Sequence, residues 1–364
     1  MKKFDYMEKY GYEQLVYMYD RNSGLKGAIC IHNTTLGPAL GGTRVWEYED
    51  EEDAILDVLR LARGMTKKAA CAGLNLGGGK AVIIGNSKKM KSDTVRREAF
   101  WRAFGRYVDS LGGRYITAED VGTSPEDMEY VKMETNHVMG LPSTSGDPSP
   151  FTAWGVYKGI KACLKETYGS AKLEGRVVAV QGVGHVGAYL CKYLAEEGAK
   201  LIIADIDEDR VKDVAAQTNA QVVSVDEIFD VKCDVFAPCA LGAVINDDTL
   251  RRLKCKIIAG AANNVLKDSA PHGQLVHDLG LVYAPDYVIN AGGLINVYQE
   301  ILGYDKDAAM RAIDMIFDRI REIIRVSKET NTPTYLVADR MAERRIDMMR
   351  NINSIHIPGR CQKK

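Results

Sequence analysis

The sequence predicts an α/β protein of two domains, and three observations support this. Strand-like apolar runs alternate with amphipathic helical patterns along most of the chain. A Pro- and Ser-rich stretch at residues 142–150 interrupts this alternation, as a connection between domains would. A buried strand pattern at 176–181 then runs directly into a glycine-rich turn and a helix.

Composition narrows the possible functions. The chain has 364 residues, enough for two domains with sizeable cores, and its 46% apolar and 27% charged contents are ordinary for a globular protein. A net charge of -1 gives no electrostatic reason for binding nucleic acid or an anionic membrane. No apolar run approaches the ~20 residues that span a bilayer. The scattered cysteines and histidines favour reduced thiols in a cytoplasmic protein without a metal site.

The first ~140 residues alternate between strand and helix patterns. We predict strands at 27–31, 81–84 and 114–118 and helices at 51–63 and 98–111. Asp120 lies just past the third strand and before a helix start at Ser124, a common place for functional residues in α/β domains. Beyond about residue 300 the pattern is helical, with a break at 331–333, a final helix to about 350 and a tail at 357–364 that we expect to be loose.

Residues 64–84 contain two lysines, Lys68 and Lys80, on either side of a predicted triple-glycine turn at 77–79. These glycines remove every Cβ beside Lys80, so a ligand or another backbone can approach closely. The segment is not a Walker nucleotide loop. It has Leu74 where that loop needs glycine, Ala81 where it needs Ser or Thr, and a strand-like run instead of a helix.

The glycine-rich turn at 182–187 has the pattern G-x-G-x-x-G between a strand and a helix, which is typical of a Rossmann dinucleotide-binding fold. Gly182 allows the tight turn, Gly184 lets the backbone approach a pyrophosphate, and Gly187 lets helix and strand pack closely. Asp205 ends the next strand, where it would accept hydrogen bonds from ribose hydroxyls and repel a 2′-phosphate. This favours NAD over NADP, although Arg210 could still reach a phosphate.

Other residues complete the predicted cofactor site: Val183, His185 and Val186 in the turn, Thr152 at the start of the preceding helix, and Asn263 after a later strand. Asn263 could hold the nicotinamide carboxamide or ribose. Alternatives remain open for each feature. Glycine-rich turns also occur without a nucleotide, Asp205 could simply start a turn, His185 could face solvent, and Asn263 could serve turn geometry.

With a nicotinamide cofactor, the substrate must present a carbon that bears a transferable hydride. The chain offers two lysines and Asp120 for this chemistry. One lysine could pair with a substrate carboxylate and orient its Cα–H bond. A second, close to the first cation and shielded from water, could act as a general base. Each lysine could instead be a solvated surface group, and Asp120 an ordinary loop acid or helix cap.

Six motifs resemble those of the Glu/Leu/Phe/Val amino-acid dehydrogenase family, in order over nearly the whole chain, with the leucine enzymes most similar. They lie at 37–44, 68–80, 117–123, 238–243, 260–264 and 285–293. The resemblance implies an N-terminal substrate-binding domain, residues 1–141, and a C-terminal Rossmann domain, residues 142–330, with a cleft between them. It further implies that helices at about 331–364 return to the first domain, that 142–150 is part of a hinge, and that the subunits form homo-oligomers, often octamers.

The resemblance also implies an activity, the reversible oxidative deamination of an L-amino acid. The amino acid, NAD and water would give a 2-oxo acid, ammonia and NADH. By motif position, Lys68 would bind the substrate carboxylate, and Lys80 would be the general base that activates water. Asp120 would relay protons, and the backbone around Gly41 and Gly42 would line the site.

By the same resemblance, Leu40, Ala118, Leu294 and Val297 form the side-chain pocket. Ala118 is similar to the branched-chain enzymes, whereas Leu294 is more often found in phenylalanine enzymes. Such an apolar pocket excludes glutamate, whose carboxylate would be buried without a partner. It cannot separate leucine, valine and isoleucine sharply, since one methylene is worth about 1–3 kcal/mol. We expect leucine first, with a valine- or phenylalanine-preferring enzyme as the alternative.

Two departures from the family pattern stand beside Lys68. Lys67 replaces a residue that is usually aromatic, and Ala69 replaces a frequent Asn. The extra cation could weaken carboxylate binding unless Lys67 points to solvent. Two other functions remain as alternatives: a 2-hydroxy-acid dehydrogenase, which usually needs a catalytic His that no motif here supplies, and an NAD-binding subunit without catalysis.

Overall fold

The computed structural model describes residues 2–88, 94–141 and 143–352. The chain divides into two compact units, Met1–Thr144 with Met341–Lys364, and Ser145–Arg340. Pro142 of the predicted connection and the predicted loose tail at 357–364 lie outside the described residues. In the described ranges, no helix is long and apolar enough to cross a membrane.

The first unit is an α/β layer structure. Its elements are α1 (Lys3–Tyr10), β1 (Gln14–Asp20), β2 (Leu25–Asn33), β3 (Ala39–Leu40), β4 (Thr43–Trp46), α2 (Glu51–Cys71), β5 (Gly77–Ile84), α3 (Thr94–Asp109), β6 (Tyr115–Ile116) and α4 (Pro125–Lys132). The sheet has the order β1-β2-β5-β3-β6, and β4 also pairs with β5. β1, β2 and β5 are antiparallel, whereas β3, β4 and β6 run parallel to their partners.

Alternating side chains give this sheet two buried faces. On one face, residues of β2 and β5 such as Ile29 and Ile83 pack against Trp101 and Phe104 of α3. On the other face, Val82 packs against apolar residues of α2 around Leu59. The sheet is therefore covered by α2 on one side and by α3 on the other.

The glycine triplet differs from its prediction, because Gly77, Gly78 and Gly79 lie inside strand β5 instead of forming a turn. A Cβ on Gly77 would lie 1.9 Å from the Asn33 carbonyl oxygen, and one on Gly78 would lie 2.1 Å from the Thr66 backbone nitrogen. The glycines thus let neighbouring backbone come close, which is one of the two explanations that the sequence left open. Turn composition was overridden by tertiary packing.

The second unit is a parallel sheet with helices. Its elements are α5 (Ser149–Tyr168), β7 (Val177–Gln181), α6 (His185–Glu196), β8 (Lys200–Ala204), α7 (Glu208–Thr218), β9 (Gln221–Val222), β10 (Val235–Pro238), α8 (Asp247–Arg252), β11 (Ile257–Ile258), α9 (Ser269–Asp278), β12 (Val282–Tyr283), α10 (Asp286–Ile289), α11 (Gly292–Tyr298), α12 (Lys306–Asp314), α13 (Ile316–Thr330) and α14 (Thr334–Ile352). Short 3-10 helices occupy Glu227–Phe229 and Gln299–Leu302.

The strands of this unit have the order β12-β11-β10-β7-β8-β9, and every pairing is parallel. This is the order of a doubly wound Rossmann sheet, whose two halves diverge between β7 and β10. The prediction of a Rossmann domain after the Pro-rich connection is confirmed. Ligands of such sheets bind beyond the carboxyl ends of the strands at this switch point.

The last helix, α14, continues from the second unit into residues grouped with the first. Within the first unit, Ala342 and Ile346 pack with Leu36 and Ala70. Arg345 donates a hydrogen bond from Nη1 to the carbonyl oxygen of Leu74, at 2.6 Å. Apolar and polar contacts together fix this end of the chain on the first unit.

Candidate active site

Lys80 lies in β5 on the face that α2 covers. Side chains two residues apart share a face, so Lys80 points the same way as Gly78 and Val82. The backbone of Thr66 in α2 sits directly over Gly78, because no Cβ stands between them. Only 7% of the Lys80 side chain is exposed. A lysine held this deeply needs a polar partner, since a buried charge without one is strongly unfavourable.

Asp120 is that partner. The Lys80 Nζ lies 2.9 Å from Asp120 Oδ2, and the Nε of Arg44 lies 3.3 Å from the same oxygen. The loop that carries Asp120 is held locally by Thr123, whose hydroxyl accepts from the Asp120 N–H and donates to the Asp120 carbonyl, both at 2.8 Å. A quarter of the Asp120 side chain remains exposed, so the carboxylate is shielded but reachable.

The electrostatics of this cluster favour an ionised Asp120. Burial opposes ionisation, but the Lys80 and Arg44 cations outweigh it and hold the pKa of Asp120 below its ordinary value. Asp120 is therefore a carboxylate that accepts hydrogen bonds from two cationic donors.

Arg44, Asp57 and Tyr48 extend the cluster, and the sequence reasoning did not assign roles to them. Arg44 Nη1 lies 3.0 Å from Asp57 Oδ2, to which the Tyr48 hydroxyl also donates, at 2.6 Å. Asp57 thus fixes the guanidinium that reaches Asp120. Arg44 ends the motif at 37–44, so its position was a usable signal, but nothing in the sequence connects it with Asp57 or Asp120.

Lys68 lies in the last turn of α2, two residues beyond the contact with Gly78, and is half-buried. Lys67 does not face the same way, because neighbouring residues of a helix project about 100° apart. The pKa of His32 is lowered mainly by burial, with a smaller contribution from the Lys67 charge. His32 is buried between the Thr66 hydroxyl and the Tyr10 carbonyl oxygen, at 2.8 and 3.0 Å.

Gly41 and Gly42 lie between β3 and β4, against the Lys80–Asp120 pair. A Cβ on Gly41 would lie 1.8 Å from the Gly79 carbonyl oxygen, and one on Gly42 would lie 2.9 Å from the Asp120 Cβ. Both glycines are needed for this close approach of three backbones.

The predicted pocket residues are divided between the two units. Leu40 is buried in β3, and the half-buried Ala118 follows the neighbouring strand β6. Leu294 and Val297 lie one turn apart on α11, half-buried and buried respectively. All four are apolar, as the predicted pocket requires.

In the second unit, the three turn glycines have different surroundings. Gly182 has φ +96, and a Cβ there would lie 2.7 Å from the Ala240 backbone nitrogen. A Cβ on Gly187 would lie 2.1 Å from the Gly182 carbonyl oxygen. Around Gly184, by contrast, the nearest atom would be the Arg210 guanidinium at 3.8 Å. The glycines at the two ends serve the fold, and the middle one leaves open space at the amino end of α6, as an approaching pyrophosphate needs.

Asp205 follows β8 and contacts this turn. Its Oδ2 accepts from the Val183 N–H at 2.7 Å, and its Oδ1 accepts from the Asp207 N–H at 3.0 Å. A carboxylate has further acceptor capacity, so ribose hydroxyls remain possible donors. Arg210, on the first turn of α7, pairs with Asp207 at 3.3 Å and is the cation beside Gly184. His185 is exposed and Val186 half-buried at the start of α6.

Two buried amide oxygens near the switch point have no hydrogen-bond donor among the described residues: Gln181 Oε1 and Asn290 Oδ1. Gln181 ends β7 directly before the glycine turn. Asn290 donates from its Nδ2 to Asn263 Oδ1 at 2.7 Å and so orients that exposed amide. Of the two neighbouring asparagines, Asn264, with φ +50, has the left-handed turn conformation, and Asn263 does not. These orphaned acceptors suit a ligand with amide N–H donors, such as nicotinamide.

Thr152, the remaining predicted cofactor residue, is half-buried on α5. Its hydroxyl donates to the Pro148 carbonyl oxygen at 3.0 Å, and it would lie 2.7 Å from a Cβ on Gly293. The described residues contain no group of three or more His, Cys, Asp or Glu side chains that could hold a metal ion.

Comparisons with known proteins agree over both units. A family model described as "Glu/Leu/Phe/Val dehydrogenase, dimerisation domain" matches residues 13–137. A second, described as "Glutamate/Leucine/Phenylalanine/Valine dehydrogenase", matches residues 146–211 and 203–343.

Individual relatives extend over nearly the whole chain. A leucine dehydrogenase from Thermoactinomyces intermedius is 57% identical, over 97% of this chain and 96% of its own. A phenylalanine dehydrogenase from Caldalkalibacillus thermarum is 41% identical over 97% and 96%. The crystal structure of L-tryptophan dehydrogenase from Nostoc punctiforme matches with a TM-score of 0.84 and 44% identity, covering 96% of this chain and 99% of that one.

Proposed function

Because this chain belongs to the Glu/Leu/Phe/Val dehydrogenase family, we propose that it catalyses the NAD-dependent, reversible oxidative deamination of branched-chain L-amino acids, L-leucine first. The single observation that carries the chemistry is the shielded Lys80–Asp120 pair, 2.9 Å apart. The 57% identity to a leucine dehydrogenase over almost the full chain supports the choice of substrate.

The residues of the second unit fit NAD. Gly184 and the amino end of α6 would receive the pyrophosphate, and Asp205 the ribose hydroxyls. Asn263, held by Asn290, would hold the nicotinamide amide or its ribose. When bound, NAD supplies the acceptor for the hydride that leaves the substrate Cα.

In the first unit, we assign the substrate carboxylate to Lys68, whose cation would hold the amino acid in one orientation. Lys80 would act as general base on the water that attacks the substrate iminium carbon. Asp120 would take and return protons at the substrate nitrogen, which is consistent with a carboxylate held ionised beside two cations. Gly41 and Gly42 would line the site through their backbone, which lies close to this pair.

The side-chain pocket would be Leu40, Ala118, Leu294 and Val297. Its apolar surface would exclude glutamate, because a carboxylate there would lose water without gaining a partner. Among aliphatic substrates the discrimination would be modest, since one methylene changes binding by about 1–3 kcal/mol. A valine- or phenylalanine-preferring enzyme is the second candidate, and Leu294 is the residue that favours phenylalanine.

The deciding experiment measures NADH formation from L-leucine at alkaline pH with the wild-type chain and with Lys80→Ala. We expect the substitution to lower kcat by about 10³-fold or more, the range of general-base catalysis, while NAD binding is kept. Lys67→Ala is the matched control and should stay close to wild type. Absence of NADH with every aliphatic and aromatic L-amino acid would contradict the proposal and favour a non-catalytic NAD-binding subunit.

Ratios of kcat/KM for leucine, valine, isoleucine and phenylalanine, each with NAD and NADP, decide between the candidates. We also propose that the chain forms a homo-oligomer, an octamer by resemblance. The family model that matches residues 13–137 is described as a dimerisation domain, which supports this proposal. The mass of the purified protein in solution measures this.

A further inference from the structure

Cys233 and Cys255 lie side by side at the amino ends of β10 and β11. Lys232 forms a parallel bridge with Lys254, and Val235 pairs with Ile257 three residues further on. This register makes the two cysteines direct partners on neighbouring strands. Partners in a sheet are about 4.8 Å apart and project to the same face.

Both cysteines are free thiols, and their side chains pack on the same apolar cluster. Cys233 is partly exposed and Cys255 is 7% exposed, so a small molecule can reach the pair. The strand spacing also falls within the Cα separations of roughly 4.4–6.8 Å that a disulfide bridges without backbone movement.

We propose that Cys233 and Cys255 form an oxidant-sensitive dithiol that small hydroperoxides convert to a disulfide. The Cys255 thiolate attacks one peroxide oxygen, the O–O bond breaks, and hydroxide leaves to give a sulfenic acid. Cys233 Sγ then attacks Cys255 Sγ, the S–S bond forms and the S–O bond breaks. The departing hydroxide takes the Cys233 proton as water, so two thiols and one peroxide give one disulfide and two waters.

We assign the attacking role to Cys255, and Cys233, its direct partner in the sheet register, resolves the sulfenic acid. Interaction between the two thiols lowers the pKa of Cys255 and raises that of Cys233. Burial instead raises the pKa of Cys30, Cys163 and Cys191, which disfavours their thiolates. The sheet register therefore distinguishes this pair by its position.

The dithiol lies at the amino ends of its strands, whereas the Gly182–Gly187 turn follows the carboxyl end of β7 in the same parallel sheet. The disulfide would join β10 to β11 away from the cofactor turn. Oxidation should therefore leave NAD binding in place and raise the thermal midpoint, because the cross-link closes the segment between the two strands.

The test treats the intact wild-type protein with hydrogen peroxide, blocks remaining thiols, and maps peptides by mass spectrometry before and after dithiothreitol. We expect a linked Cys233–Cys255 peptide that dithiothreitol separates. Recovery of both cysteines as blocked free thiols, under peroxide that oxidises other cysteines of the chain, would overturn the proposal. This arm needs no variant, so it does not depend on a substitution that fails to fold.

Two variants test the order of attack. Cys233→Ser should trap a sulfenic acid at Cys255, detected as a dimedone adduct, whereas Cys255→Ser should leave Cys233 reduced. Cys71→Ser, which removes another partly exposed thiol, should still form the disulfide. A sulfenic acid on Cys233 in the Cys255→Ser protein would reject the assigned roles.

Discussion

At the residue scale, Asp120 is defined by what surrounds it. Two cations, Lys80 and Arg44, converge on one carboxylate oxygen, and Asp57 holds Arg44 from the other side. Each charge in this group has an opposite charge within about a hydrogen-bond length, which is what makes a shielded ionic cluster tolerable. The proposed proton relay depends on this arrangement.

Arg44→Met should raise the pKa of Asp120, because the carboxylate loses one of the two cations that stabilise it. If ionised Asp120 is required, the acidic limb of the kcat/KM profile with L-leucine moves to higher pH. We expect activity near neutral pH to fall about 10- to 100-fold, equivalent to about 1–3 kcal/mol.

Asp57→Asn is the control for this variant, since it removes the other partner of Arg44 without touching Asp120. It should shift the pH profile less than Arg44→Met does. An unchanged acidic limb in Arg44→Met would show that Arg44 is not a positioning residue for Asp120.

His32 gives the first unit a pH-dependent stability. Burial lowers its pKa from about 6.5 to about 4, so between these values the unfolded chain binds a proton that the folded chain does not. The free energy of unfolding therefore decreases as the pH is lowered, by about 2 kcal/mol between pH 7 and pH 5.

Denaturant unfolding of wild type and His32→Gln at both pH values measures this, because glutamine has no proton to bind. The decrease in unfolding free energy from pH 7 to pH 5 should be smaller in the variant by about 2 kcal/mol. Equal losses in the two proteins would rule out His32 as the source.

At the element scale, β5 and α2 come into close contact because Gly78 has no side chain. Gly78 lets the backbone of Thr66 lie directly on the strand, and Lys80 follows two residues later on the same face. The contact places the helix that carries Lys68 over the strand that carries Lys80. Local structure and candidate chemistry thus depend on the same glycine.

Gly78→Ala should destabilise the protein by about 3 kcal/mol or more, because its Cβ would lie 2.1 Å from the Thr66 nitrogen and backbone must move. Gly64→Ala is the matched control on α2, where a Cβ has nothing within 4 Å. It should stabilise the helix by up to ~1 kcal/mol. Denaturant unfolding compares them, and equal stability of the two variants would contradict this account.

At the scale of the whole molecule, each unit has its own sheet and its own set of candidate groups. The first holds the lysines and Asp120, and the second holds the glycine turn and Asp205. NAD should therefore stabilise the chain through contacts in the second unit. At a concentration of 100 times Kd, the gain in unfolding free energy is about 2.7 kcal/mol.

The Gly184→Ala variant tests the stabilisation by NAD separately from the stability of the protein without NAD. Its Cβ would have open space around it, so the melting temperature without NAD should match wild type. The rise on adding NAD should shrink, because the methyl group occupies the space that a pyrophosphate needs. A rise equal to that of wild type would show that the cofactor does not lie against Gly184.

Much of the fold can be predicted from the sequence, because the signals for its elements are local. The predicted helix start at Ser124-Pro125 is present and has a capping box. The predicted break at 331–333 begins at Asn331, which caps a helix in the left-handed conformation. The strand at 177–181 leads into the glycine turn, as predicted. Boundaries were less accurate, since the helix from Glu51 extends to Cys71 and therefore includes Lys67 and Lys68.

What the sequence by itself determined is the kind of most elements and the glycine-rich turn between β7 and α6, and it singled out Lys68, Lys80 and Asp120 as candidate groups. Those depend on residue spacing along one segment. Only the tertiary structure decided that the glycine triplet is a strand, and that Arg44 and Asp57 support Asp120. These contacts join segments far apart in the chain, so they follow from sheet register and helix packing, which no local pattern encodes.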